Sequence, residues 1–90
     1  MMCGGWSDFR SVTSEEVKLF EKSVEGLKGV DYTPLIVATQ IAAGENYKFI
    51  CNAKAVTIPP RKYLAEIIIR KNLATDDSTG SAIMAVIELE

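Results

Sequence analysis

The chain has 90 residues, 48% of them hydrophobic, with ten basic against twelve acidic side chains and a net charge of −2. That length holds one domain with a small core. No basic stripe invites nucleic acid, no apolar run reaches the ~18 residues of a membrane span, and a sequence without histidine has no histidine-based triad and lacks the usual proton shuttle at neutral pH.

Taken in order, the chain opens with a leader in which Gly4-Gly5 keeps the backbone flexible and lets it approach another surface closely. Trp6 and Phe9 are placed to anchor a short edge strand. Phe9 is expected in the core, while Trp6 is open between core packing and contact with a partner. The spacing predicts a helix over 13–28. Thr13 and Glu16 stand at capping-box separation, with Val12 and Val17 as the flanking staple. Val17, Phe20, Val24 and Leu27 recur at helical period and form one apolar stripe. Lys18, Glu21, Lys22 and Glu25 fall on the solvated side. Gly29 is expected to stop the helix, and Gly26 to allow it to pack closely on a sheet.

Four strands follow. Residues 34–41 open on Pro34, which suits a strand start, with Leu35, Val37 and Thr39 on one face. Residues 46–56 alternate cleanly: Tyr47, Phe49, Cys51, Ala53 and Ala55 face one way, Lys48, Asn52 and Lys54 the other. Pro59-Pro60 breaks the ladder. Residues 62–71 turn Tyr63, Ala65, Ile67 and Ile69 inward, with Glu66 and Arg70 toward water. Asn72 to Ser81 is a polar connection around Asp76-Asp77-Ser78-Thr79-Gly80. Residues 82–89 are the last strand, with Ile83, Ala85, Ile87 and Leu89 inward, and Met84 and Val86 outward beside Glu88. The fold class is therefore α+β: one N-terminal helix packed across a curved antiparallel sheet of four to five strands, in a single domain spanning 1–90.

The chemistry-bearing residues do not form a catalytic set. Asp76-Asp77 is the only tight acidic pair and sits where turn chemistry explains it. The glycines fit neither a P-loop nor a dinucleotide fingerprint. Cys3 has no candidate base, and Cys51, at an inward position, reads as a buried reduced thiol. Two distant cysteines make no disulfide framework. An enzyme is not expected, nor a metal or cofactor. The leader lacks the pattern of a secretory signal, which points to the cytoplasm, with the mature part of a longer precursor as the alternative.

The unusual stretch is the bend between the first two long strands. Hairpins normally turn on Asn, Asp, Gly or Pro, but Gln40-Ile41-Ala42-Ala43-Gly44 presents apolar residues, which gain nothing from folding and invite an outside partner. Followed by Asn46-Tyr47, this segment resembles the first inhibitory hairpin of the cystatins, usually Gln-Val-Val-Ala-Gly. Met1-Met2-Cys3-Gly4-Gly5 resembles the amino terminus of the stefins, their small intracellular branch. The resemblance covers about the first sixty residues in sequence and the remainder in layout. It implies a five-stranded sheet wrapped around one helix. It also implies reversible, non-covalent inhibition of papain-like cysteine proteases, with the glycine leader and two hairpin tips entering the active-site cleft. The implied protease-binding residues are Gly4 and Gly5 in the leader, Gln40, Ile41, Ala42, Ala43 and Gly44 in the first tip, and Leu73 and Ala74 in the second. Leu73-Ala74 departs from the Leu-Pro that stefins tend to carry there. The alternative is a module of the same fold that serves protein interaction or dimerisation without inhibition. A monomer is expected, with a minor tendency to exchange hairpins into a swapped dimer.

Overall fold

The computed structural model of the protein describes residues 5–41, 44–71 and 81–89. The elements are β1 (Arg10–Ser11), α1 (Ser14–Val24), β2 (Val30–Ile41), β3 (Glu45–Ala55), β4 (Arg61–Lys71) and β5 (Ser81–Leu89). The five strands form one antiparallel sheet in the order β1-β2-β3-β4-β5, and α1 packs across one face of it. This is the α+β arrangement expected from the sequence. The face under α1 is the inner face of the sheet, and its opposite the outer face.

The start of α1 follows from its sequence. The Thr13 hydroxyl accepts from the Glu16 backbone N–H at 3.2 Å, and the Glu16 carboxylate accepts from the Thr13 N–H at 2.9 Å. The capping box is thus complete and satisfies donors that a helix start leaves unpaired. Phe20 is fully buried; Leu19 and Val24 pack against the same core from its margin. Lys18, Glu21, Lys22 and Glu25 are exposed.

The helix ends earlier than its apolar period suggested. Glu25 is the C-cap, its N–H bonded back to the Lys22 carbonyl, and Leu27 N–H bonds to Val24 O. Gly26, which weakens a helix interior, comes directly after. Among the described residues nothing comes within 4 Å of the space where its Cβ would stand, so the expected close packing on the sheet is not seen there. Gly29 instead sets the entry into β2. Its φ of 86° is one that side chains rarely adopt, and its carbonyl accepts from Val56 N–H.

The core is the inner face of β3 with its neighbours. Tyr47, Phe49, Cys51, Ala53 and Ala55 are all buried, as are Ala65, Ile67 and Ile69 of β4 and Val37 of β2. The edge of the Phe20 ring meets Phe49 with centroids 4.9 Å apart, and Tyr47 stacks on Phe49 at 6.1 Å. Cys51 has no exposed surface, and burial pushes its thiol up to about 12.

Two bulges correct the expected facing. β2 begins at Val30, because Val30–Pro34 pairs with Cys51–Ala55. The register then shifts between Pro34 and Ile36. Leu35 is the extra residue, and it is exposed rather than inward. Pro34 is thus inside the strand, but β1 pairs only from Ile36 onward, so the missing N–H costs no ladder bond on that side.

The second shift lies opposite Ile68 and Ile69. Ile83 faces Ile69 on the inner side, Met84 is the extra residue, and from there the phase of β5 reverses. Val86 and Glu88 stand opposite the inner residues Ile67 and Ala65, while Ala85, Ile87 and Leu89 stand opposite Ile68, Glu66 and Leu64 on the outer face. Ala85, Ile87 and Leu89 are therefore not inward, and Val86 is not outward. Phe9, expected in the core, is exposed. No helix among the described residues is long and apolar enough to cross a membrane.

Candidate functional site

The described residues of the site predicted from the sequence fall toward one end of the sheet, and the strand registers show why. Glu45 pairs with Ile41 on one side and with Lys71 on the other, and Lys71 pairs with Ser81. The β2–β3 turn and the two residues that flank the β4–β5 connection therefore stand side by side. The leader joins them from the other edge. Ser7 N–H donates to Thr39 O at 2.8 Å, and its hydroxyl accepts from Thr39 N–H at 2.9 Å. These bonds extend the contact of the leader with β2 toward the turn and leave Gly5 two residues from the Ser7–Thr39 link.

Of the predicted site residues, Gly5, Gln40, Ile41 and Gly44 are described and converge on this end. Gly4, Ala42, Ala43, Leu73 and Ala74 lie outside the described residues, as do Cys3 and Asp76-Asp77. Ile41 keeps 67% of its surface exposed, and Gly5 is exposed. Gly44 is buried with φ 129°, a conformation reserved in practice for glycine. The turn thus needs glycine at this position whatever the turn binds.

Polar contacts hold the turn from both faces. On the outer face the Asn46 amide donates to Gln40 Oε1 at 2.8 Å. Asn46 is itself buried, and its Oδ1 has no hydrogen-bond partner among the described residues. On the inner face Tyr47 is buried at the same end, and desolvation, with Glu45 adding to it, pushes its hydroxyl up to about 12. Tyr47 is therefore a neutral donor at physiological pH.

Three contacts that fix the leader were not visible in the sequence. Ser7 meets Thr39 as described. The Trp6 ring lies 4.3 Å from Lys48 Nζ, an attraction of cation to ring face. Trp6 is thus not part of the core: its ring is half-buried and meets Lys48, whose cross-strand partner is Ala38. Arg10 grips Glu16 through two hydrogen bonds of 2.8 and 2.6 Å, tying β1 to the first turn of α1. Bonds from Arg10, the largest cause, together with those from Thr13, hold the Glu16 carboxylate down at about 2 against the cost of its burial. The only hint in the sequence was the capping-box glutamate, whose second role needed a register.

A shallow recess of about 540 Å³ opens at the opposite end of the sheet, between Asp31, Asn52, Lys54 and Lys62. It includes none of the predicted site residues. Among the described residues no group of three or more His, Cys, Asp or Glu side chains is placed to hold a metal ion. No family model matches the chain, and neither a curated protein nor a solved structure is found to be similar to it.

Proposed function

We propose that the protein is a reversible, non-covalent inhibitor of papain-like cysteine proteases. It occludes the active-site cleft with the glycine leader and the two hairpin tips, through Gly4, Gly5, Gln40 to Gly44, Leu73 and Ala74. The observation that carries this reading is the convergence of the leader, the β2–β3 turn and both flanks of the β4–β5 connection on one end of the sheet, with Ile41 left exposed there. A backbone already braced by Ser7, Asn46 and Arg10 loses little conformational freedom on docking. Small side chains beside a glycine fit a narrow groove. The same reading puts the protein in the cytoplasm, the compartment of the stefins it resembles. The test is titration of papain with the protein while a fluorogenic peptide substrate is turned over. Competitive, dilution-reversible inhibition that weakens on deletion of residues 1–5 is expected. Full protease activity at micromolar concentrations of the protein overturns the proposal.

A further inference from the structure

The strand order leaves β5 with a partner on one side only. Among the described residues none pairs with its other edge. Natural edge strands are commonly kept short or guarded by lysine, proline or inward charge. β5 is 9 residues long and contains neither lysine nor proline. Its guards are the bulge at Met84 and one inner-face charge, Glu88, which Arg61 neutralises through two bonds of 3.0 Å. Met84, Val86 and Ile87 are all exposed. The bulge at Met84 leaves Ala85–Leu89 as a regular stretch, apolar on the outer face and continuous there with Ile68 and Leu64.

We propose that β5 is a self-association edge, where a second copy of the chain adds its own β5 antiparallel about a two-fold axis at Ile87. The occupant follows from self-complementarity. In that register Ile87 stands opposite its own copy, Ala85 opposite Leu89 and Val86 opposite Glu88, so no like charges are directly opposed. The outer apolar residues Ala85, Ile87 and Leu89 of the two copies then form one patch across the seam, flanked by Ile68 and Leu64 with Glu66 between them on each side, and the ladder N–H and C=O groups of both edges find partners. The inference stands apart from the protease reading. It uses none of residues 1–5, 40–44 or 72–80, and it leaves the two leader ends at opposite extremes of the joined sheet, free of each other.

The experiment is sedimentation equilibrium of the full chain from micromolar to millimolar concentration, without any protease. A monomer–dimer equilibrium that re-establishes on dilution is expected. Ile87→Lys, which sets two ammonium groups face to face on the axis, is expected to raise the dimer Kd by about tenfold or more. Ile58→Lys, at a fully exposed apolar position away from β5, leaves it unchanged. Because Ile87→Lys acts on a strand, its thermal melt is compared with wild type. A second variant, Ile87→Cys with Cys3→Ser, is expected to form a disulfide-linked dimer on mild oxidation, whereas Ile58→Cys in the same background does not. A chain monomeric throughout, a dimer indifferent to Ile87→Lys, or a dimer formed by exchange of hairpins that fails to dissociate on dilution overturns the proposal.

Discussion

The contact between Arg10 and Glu16 gives the most exacting test of how the leader is held. Glu16→Gln keeps a side chain that can still accept from the Thr13 N–H, because glutamine also serves a capping box, but it removes the charge that Arg10 grips. The folded carboxylate titrates at about 2 against an ordinary 4.5. At about 1.4 kcal/mol per pH unit the displacement corresponds to about 3 kcal/mol. The Glu16 side chain is only 11% exposed, but that of Arg10 is 47% exposed, and screening of the pair by water reduces the expected loss to about 1–2 kcal/mol. The folded pKa is depressed, so the stabilisation is fully present above the unfolded value and is lost as pH falls from about 4.5 toward about 2. Urea unfolding of both proteins, followed by circular dichroism from about pH 7 down to about pH 2, should show a gap of that size at neutral pH that closes through the acid range. At neutral pH the melting temperature should fall by about 4–8 °C for each kcal/mol lost in a domain of this size. A gap that persists unchanged at low pH, or no gap at neutral pH, refutes the reasoning, because either result means that the ion pair is not what ties β1 to the helix.

Further predictions follow from single contacts. Gly44→Ala must place a Cβ at φ 129° and should cost about 1–3 kcal/mol in chemical denaturation, with protease inhibition weakened in parallel. Phe49→Ala empties the centre of the aromatic cluster, where the ring has no exposed surface, and should cost about 3–5 kcal/mol, enough to populate the unfolded chain at room temperature. Trp6→Ala removes the ring next to Lys48 and should cost about 1 kcal/mol while loosening the leader, read as faster amide exchange at Ser7 and Thr39. With Cys3 replaced by Ser, the thiol of Cys51 should react with an aromatic disulfide reagent only at the rate at which the domain unfolds, because it is fully buried with its pKa raised to about 12.

How far the sequence could be read depended on whether a segment was amphipathic. β3 buries every second residue from Tyr47 to Ala55, and its facing was legible because polar Lys48, Asn52 and Lys54 occupy the alternate sites. The helix start was equally plain from Thr13 and Glu16. β5 was not, because Ile83, Met84, Ala85, Val86 and Ile87 are apolar on both faces and give alternation no phase. A period of two also cannot announce an inserted residue, so the bulges at Leu35 and Met84 went unseen and each turned the facing of its strand. The start of β2 was hidden by Asp31 and Pro34, poor strand formers that the pairing with Cys51–Ala55 overrules. The turn of the candidate site was legible from residue types. Its bracing was not, because Trp6 meets Lys48, and Ser7 meets Thr39, only after the sheet has set their register.

The sheet is a simple meander from β2 to β5, each strand lying against the next in the chain. β1 alone must reach back over α1 to find its place on β2, and it does so with a two-residue ladder. Closing that wide loop carries a larger entropic penalty than any of the hairpins. The two-residue ladder of β1, with the bonds from Ser7 and the grip of Arg10 on Glu16, must therefore offset this penalty to hold the leader on the sheet. Weakening any of these contacts should therefore raise amide exchange at Ser7 and Thr39 before it is felt in the pairing of β2 with β3.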